Sequence, residues 1–188
     1  MKILLGSNSP RRNELLTQMG ITFTKVSIDC DEDFDADMIA EEVPVSLSKK
    51  KSAAYTDLQD EELLITADTV VICEEKILNK PQDEEDALEM LWMLSDTSHK
   101  VVTGVTLRSL QREVSFSSTT LVHLDKLTDS AVNYYLGRYK PYDKAGSYGI
   151  QEWFGLSCVK GIEGCFYNVV GLPCSLLYKR LKNDFDVI

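Results

Sequence analysis

The chain has 188 residues, 44% of them hydrophobic and 27% charged, with 30 acidic against 20 basic residues and a formal net charge of −10. That length and balance suit one soluble globular domain over residues 1–188, able to bury a core without disulfide staples. The negative charge argues against a nucleic-acid or membrane-surface binder but leaves open a small anionic ligand, provided local cations and a bridging metal ion meet it.

Five cysteines (Cys30, Cys73, Cys158, Cys165, Cys174) form no CxxC pair and are odd in number, which supports neither a zinc site nor a complete disulfide framework. The opening "MKILLGSNS" has too short an apolar run for a signal peptide, and no segment is long enough to span a bilayer. The expected location is therefore cytoplasmic, with reduced thiols.

In chain order, Lys2–Leu5 reads as a short buried strand, followed by a turn through Gly6–Pro10 and a helix from about Arg11 to a stop at Gly20. Phe23–Ile28 reads as a strand or extended segment and leads into the acidic stretch "DCDEDFDAD". A helix starts near Pro44 and runs through "VSLSKKKSAAYTDL". Leu63–Ile72 is nearly continuous and β-branched, as in a central strand buried on both faces. "EE" and "KIL" at 74–78 suggest a hairpin-like return, and Asp83–Leu94 is an amphipathic helix after Pro81. Two long strands, "HKVVTGVTLRSL" and "REVSFSSTTLVHL", join at a tight turn near Gln111. A helix capped by Thr128 or Asp129, a structured glycine-containing loop "DKAGSYGIQ" and a last helix after Pro173 complete the chain. Helices alternating with strands and hairpins predict an α/β fold with a mixed sheet.

Several polar residues stand where folding alone prefers apolar ones. Asp68 lies inside the central strand, so its carboxylate either has donors, a cation or a metal nearby, or faces solvent where the strand ends. At about 100° per residue, Lys51 falls on a helix stripe with Leu47, Ala54 and Leu58, either aimed inward or snorkelling at the stripe's edge. Arg11 and Arg12 sit at a helix N-terminus, where cations oppose the helix dipole but two guanidinium forks suit an anion. Exposed solubilising arginines are the alternative. Asp29, Asp31, Glu32 and Asp33 form either a solvated acidic loop or a source of one or two ligands for a divalent cation. Lys80 and Lys144 are further local cations, and His99 and His123 read as structural. No P-loop, dinucleotide fingerprint or serine-hydrolase elbow is present. This set fits metal-assisted phosphate-ester or phosphoanhydride chemistry.

The segments "SNSPRRNELL", "DCDE", "LSKKKSA", "ADTVV", "NKP", "TGV", "DKAGSYGIQ" and "NVVGLP" occur in this order along the whole chain, and together they resemble the Maf-like nucleotide pyrophosphatases. The resemblance implies an elongated, inosine-triphosphatase-like α/β fold, often homodimeric, that hydrolyses a nucleoside triphosphate to the monophosphate and pyrophosphate and so clears unwanted nucleotides. It implies that Asp68 is the proton acceptor for water and that Glu32 and Asp68 bind a divalent cation, Mg²⁺ or Mn²⁺. Arg11, Arg12, Lys51 and Lys80 hold the triphosphate, with Lys144 a further substrate-binding cation. The combination of Arg11, Thr69 and Gln151 resembles the branch that prefers dTTP and UTP over the 7-methyl-GTP branch. Departures are Asn79 before Lys-Pro, Ser52 after the helix lysine, and "QEWFG" after the G-I-Q motif, which brings Trp153 toward the expected base pocket. The rival reading is a nucleotide-binding regulator of septum formation without essential turnover.

Overall fold

A computed structural model of the protein describes residues 1–187. Strands β1 (Lys2–Gly6), β2 (Phe23–Lys25), β3 (Glu62–Cys73), β4 (Lys76–Leu78), β5 (Ser98–Arg108), β6 (Glu113–Leu124) and β7 (Val159–Glu163) alternate with helices α1 (Pro10–Gln18), α2 (Val43–Ala54), α3 (Glu84–Leu94), α4 (Asp129–Tyr139), α5 (Trp153–Cys158), α6 (Phe166–Val170) and α7 (Cys174–Phe185). The strands form one mixed sheet in the order β2-β1-β3-β5-β6-β7, with β4 paired to β3. β1 is parallel to β2 and β3, while β3–β4 and β6–β7 are antiparallel. The α/β class with a mixed sheet is as the sequence predicts.

The chain divides into two compact units. The first comprises Met1–Thr69, Thr103–Ser118 and the segment from Gly171 on, and the second comprises Val70–Val102 and Thr119–Val170.

In the first unit, α1 begins where Ser9 caps it, its Oγ accepting from the Arg12 amide at 3.4 Å, and Pro10 supplies a pre-set first turn. Helix α2 buries Leu47 together with Ser48 and Ser52. Its inward face is therefore partly hydroxyl-lined. The Thr66 hydroxyl donates to the Ser48 carbonyl at 2.7 Å, Ser48 Oγ lies 2.8 Å from Thr106 Oγ1, and Arg108 Nε donates to Ser52 Oγ at 2.9 Å. Gly104 makes this packing possible, since a Cβ there would run into the backbone of Pro44 and Val45. A small apolar cluster of Leu4, Leu58 and Leu64, flanked by Val26, Ile28 and Tyr55, adds to the core of this unit.

The structure corrects the sequence at one place here. Helix α2 stops at Ala54, before Leu58, because Tyr55 is already extended. Ala54 is exposed while Leu58 is buried from the connection that follows, so the expected stripe breaks after Lys51. Within the expected strand or extended segment at 23–28, β2 covers Phe23–Lys25, and the Val26 amide then donates to the Leu5 carbonyl.

The second unit packs α3, α4 and α5 over a core that includes Val71, Leu91, Leu94, Val101, Tyr135 and Phe154. Asp83 caps α3 and Thr128 caps α4, each side chain accepting from the amide three residues on. The "DKAGSYGIQ" segment is a structured loop with one 3₁₀ turn at Ala145–Ser147. Beyond it α5, β7 and α6 are elements that no period in the sequence announces, being five or six residues each.

Candidate active site

In the first unit, β3 and α2 bring the sequence-predicted charges together. Beyond its first residue the strand is buried throughout except at Asp68 and Thr69, which are half-buried. Lys51, near the end of α2, sends its ammonium to Asp68 Oδ1 at 2.5 Å and to Glu32 Oε1 at 2.8 Å. Asp68 is thus a paired carboxylate in mid-strand rather than a solvated strand end, and Lys51 points inward. The Lys51 and Asp68 side chains are only 15% and 13% exposed, against 52% for Glu32, so solvent screens the inner pair weakly. Within the acidic stretch Asp31 is bonded to Lys50 at 2.8 Å, which leaves Glu32 as the carboxylate directed to Lys51.

Two carboxylates converging on one cation position is also the arrangement for Mg²⁺ or Mn²⁺, which bind through one or two carboxylates and take other oxygens from substrate phosphates. Among the described residues no group of three or more His, Cys, Asp and Glu side chains could hold an ion unaided. The convergent Glu32 and Asp68 carboxylates fit a divalent cation as ligands.

Arg12 is the other centre of the unit and is buried at 9% exposure. Its Nε donates to the Gly171 carbonyl at 2.9 Å, its Nη1 to the Ala67 carbonyl at 2.8 Å and Ser7 Oγ at 3.3 Å, and its Nη2 to Thr69 Oγ1 at 3.0 Å. These engage four of the five donors of a guanidinium. Burial pushes its pKa down, and the negative charge of Asp68 works against that fall. Gly171, at φ +126, takes a backbone conformation closed to other residues and turns its carbonyl to Arg12. Arg12 grips β3 on both sides of Asp68, at Ala67 and Thr69, so it orders the strand at the carboxylate. Arg11, its neighbour, is half-buried on the first turn of α1.

Lys80, Lys144 and Gln151 belong to the second unit. Lys80 and Gln151 are exposed, whereas Lys144 is buried at 8% exposure. Its ammonium lies 2.7 Å from Asp143 Oδ1 and 3.1 Å from Glu152 Oε1. Glu152 also accepts from the Tyr135 hydroxyl at 2.5 Å, and that hydroxyl oxygen accepts from the Gly149 amide at 2.9 Å. Burial and the adjacent Glu152 carboxylate raise the Tyr135 pKa far above the phenol range. Lys144, Glu152 and Tyr135 brace the loop that ends at Gln151. Trp153 opens α5 and packs edge-on against Tyr134 at 4.8 Å.

Ser7, Thr103, Tyr135 and Glu152 are the contributors that sequence reasoning missed. A hydroxyl inside a strand or turn has no periodic signature, and Glu152 entered the sequence reading only as a departure from the motif.

The family described as "Maf-like protein" matches residues 2–184. A dTTP/UTP pyrophosphatase from Porphyromonas gingivalis (strain W83) is 50% identical over 186 residues, covering 97% of this chain and 94% of its own. Proteins of the same description from Parabacteroides distasonis and Phocaeicola vulgatus are 47% and 46% identical, each over 95% of their own length. Among solved structures, a HAM1 protein from Coxiella burnetii aligns with a TM-score of 0.44 at 12% identity, over 66% of this chain and 73% of that one.

Proposed function

The chain belongs to the family of Maf-like proteins, and on that premise we propose that it hydrolyses nucleoside triphosphates, dTTP and UTP foremost, to the monophosphate and pyrophosphate. The observation that carries the reading is the charge relay Glu32–Lys51–Asp68, which presents one half-buried carboxylate beside a cation at the centre of β3. Relatives at 46–50% identity described as dTTP/UTP pyrophosphatases support both the reaction and the substrate.

In the reaction, Asp68 takes the proton of a water whose oxygen attacks the α-phosphorus. The bond from that phosphorus to the bridging oxygen breaks, and pyrophosphate leaves. Glu32 and Asp68 would hold a Mg²⁺ or Mn²⁺ ion, which would supply charge neutralisation on the phosphate oxygens. Lys51 keeps the two carboxylates together in the free enzyme and offers its charge to the triphosphate. Arg12 contributes long-range positive charge and at most one free donor, so its main service is to fix Ala67–Thr69 around Asp68. Arg11, Lys80 and Lys144 complete the cationic set for substrate, and Arg11, Thr69 and Gln151 read the base. Five free thiols and a nucleotide substrate suit a cytoplasmic enzyme, acting as one domain over residues 1–188.

The deciding experiment is product analysis with dTTP, UTP, CTP and 7-methyl-GTP in Mg²⁺ or Mn²⁺, repeated after chelation with EDTA. Monophosphate plus pyrophosphate from dTTP and UTP, lost on chelation and regained on adding metal, is the expected result. Release of inorganic phosphate would mark a phosphatase, and binding without turnover would mark a nucleotide-binding regulator.

A further inference from the structure

Gly149–Glu152 forms a turn closed by the Glu152 amide, which donates to the Gly149 carbonyl at 3.1 Å. One buried phenol spans its two ends. The Gly149 amide donates to Tyr135 Oη at 2.9 Å, and the Tyr135 hydroxyl donates to Glu152 Oε2 at 2.5 Å. We propose that Glu152 is a positioning residue for base selection: through Tyr135 its carboxylate staples the turn that presents Gln151 to the base. This rests on the reading that Gln151 meets the base, and it gives Glu152, a departure from the motif in sequence, a part in substrate choice.

The direction of both bonds is fixed by the groups that make them. A backbone N–H can only donate and an ionised carboxylate can only accept, so the phenol receives from Gly149 and gives its proton to Glu152. Burial and the Glu152 carboxylate hold the phenol protonated far above its ordinary range. The carboxylate is held from a second side by Lys144 Nζ at 3.1 Å, in a pair only 9% and 19% exposed. It also packs on Gly149, where an added Cβ would fall 2.8 Å from its carboxyl carbon. The Tyr135 ring is fully buried against Phe154 and Tyr139, at centroid distances of 5.0 and 5.1 Å. The turn rests on α5 as well, since a Cβ on Gly155 would collide with the Ile150 carbonyl. Of the four turn residues Gln151 alone is exposed.

A glutamine amide carries both a donor and an acceptor. Uracil and thymine offer the C4 carbonyl beside a ring N–H, whereas cytosine offers the C4 amine beside a bare ring nitrogen. The amide tells these edges apart only if it approaches along one fixed path, because sliding or rotating it exchanges donor and acceptor. A stapled turn fixes where that path begins, and a loosened turn lets the amide adapt to cytosine.

The test compares kcat/KM for UTP and CTP in the parent, Glu152→Ala, Tyr135→Phe, Glu152→Gln and Gln151→Ala, with the melting temperature of each. Weakening one selective hydrogen bond predicts that Glu152→Ala and Tyr135→Phe each raise the CTP/UTP ratio by about fivefold. Glu152→Gln, which keeps an acceptor oxygen for the phenol, stays within about twofold of the parent ratio. Glu152→Ala combined with Gln151→Ala shifts the ratio no further than Gln151→Ala alone. Tyr135→Phe keeps the buried ring and reads the staple if the alanine variant does not fold. Glu152→Ala and Tyr135→Phe enzymes that keep the parent ratio, or lose activity on both nucleotides equally as their melting temperatures fall, overturn the inference while Gln151→Ala still shifts the ratio. A Glu152→Gln ratio as high as that of Glu152→Ala assigns the effect to charge and overturns the staple. An unchanged ratio in Gln151→Ala overturns base reading by Gln151, and the role of Glu152 goes with it.

Discussion

Replacing Asp68 with asparagine separates chemistry from folding at this site. The substitution keeps the shape and an oxygen that can accept from Lys51, but removes the negative charge and the ability to take a proton. Loss of a general base costs on the order of 10²–10⁴ in rate, so kcat for dTTP should fall by about a thousandfold. Stability should change far less. Lys51 is 15% exposed and retains Glu32 at 2.8 Å, so its charge stays paired. The full cost of about 3–5 kcal/mol for stranding a buried ion does not apply, and about 1 kcal/mol is expected. For a chain of this size that corresponds to about 2–4 °C in Tm. Triphosphate affinity should hold or improve, because a negative charge leaves the neighbourhood of a polyanion. The assay is pyrophosphate release beside calorimetric binding of dTTP and thermal unfolding. Turnover within tenfold of the parent refutes the role of Asp68 as base. A loss of turnover accompanied by a Tm drop above about 10 °C refutes the separation of chemistry from folding.

Two further predictions concern the scaffold. Gly104→Ala drives a Cβ into the Pro44 and Val45 backbone, where no side chain can yield, and should cost about 3 kcal/mol or more; a Tm within about 2 °C of the parent contradicts that packing. His99 is buried, bonded through Nε2 to the Tyr148 hydroxyl at 2.6 Å, and its pKa is pushed down to about 4 by burial, with His123 adding to the effect. Because the unfolded chain takes up this proton near pH 6.5 and the folded one does not, stability is lost as pH falls through that window. The loss reaches about 2 kcal/mol by pH 5 relative to pH 7.5. Urea unfolding of the parent and His99→Gln at the two pH values checks it, since the variant should lack that part of the slope; equal slopes refute it.

The sequence determined the ordered motifs, the central strand, the α1 start at "SPRR" and the mixed α/β class, because each is local: a β-branched run, a proline at a helix start, a cap three residues before an amide. It also marked Asp68 and Lys51 as charges in apolar surroundings. It left open whether Asp68 faced solvent, and it extended α2 past its true end. A helical stripe cannot show that Tyr55 leaves the helix while Leu58 is buried from the connection beyond it. Only the tertiary structure decided partners. Arg12 reads in sequence as one of two guanidinium forks suited to an anion, and the fold engages four of its donors with Gly171, Ala67, Ser7 and Thr69. Lys144 reads in sequence only as a local cation, and the fold buries it between Asp143 and Glu152. Hydrogen bonds and ion pairs act within about 3–4 Å. Their partners here come from residues up to 159 positions apart in the chain, and no local period records which donor will meet which acceptor once the strands have paired.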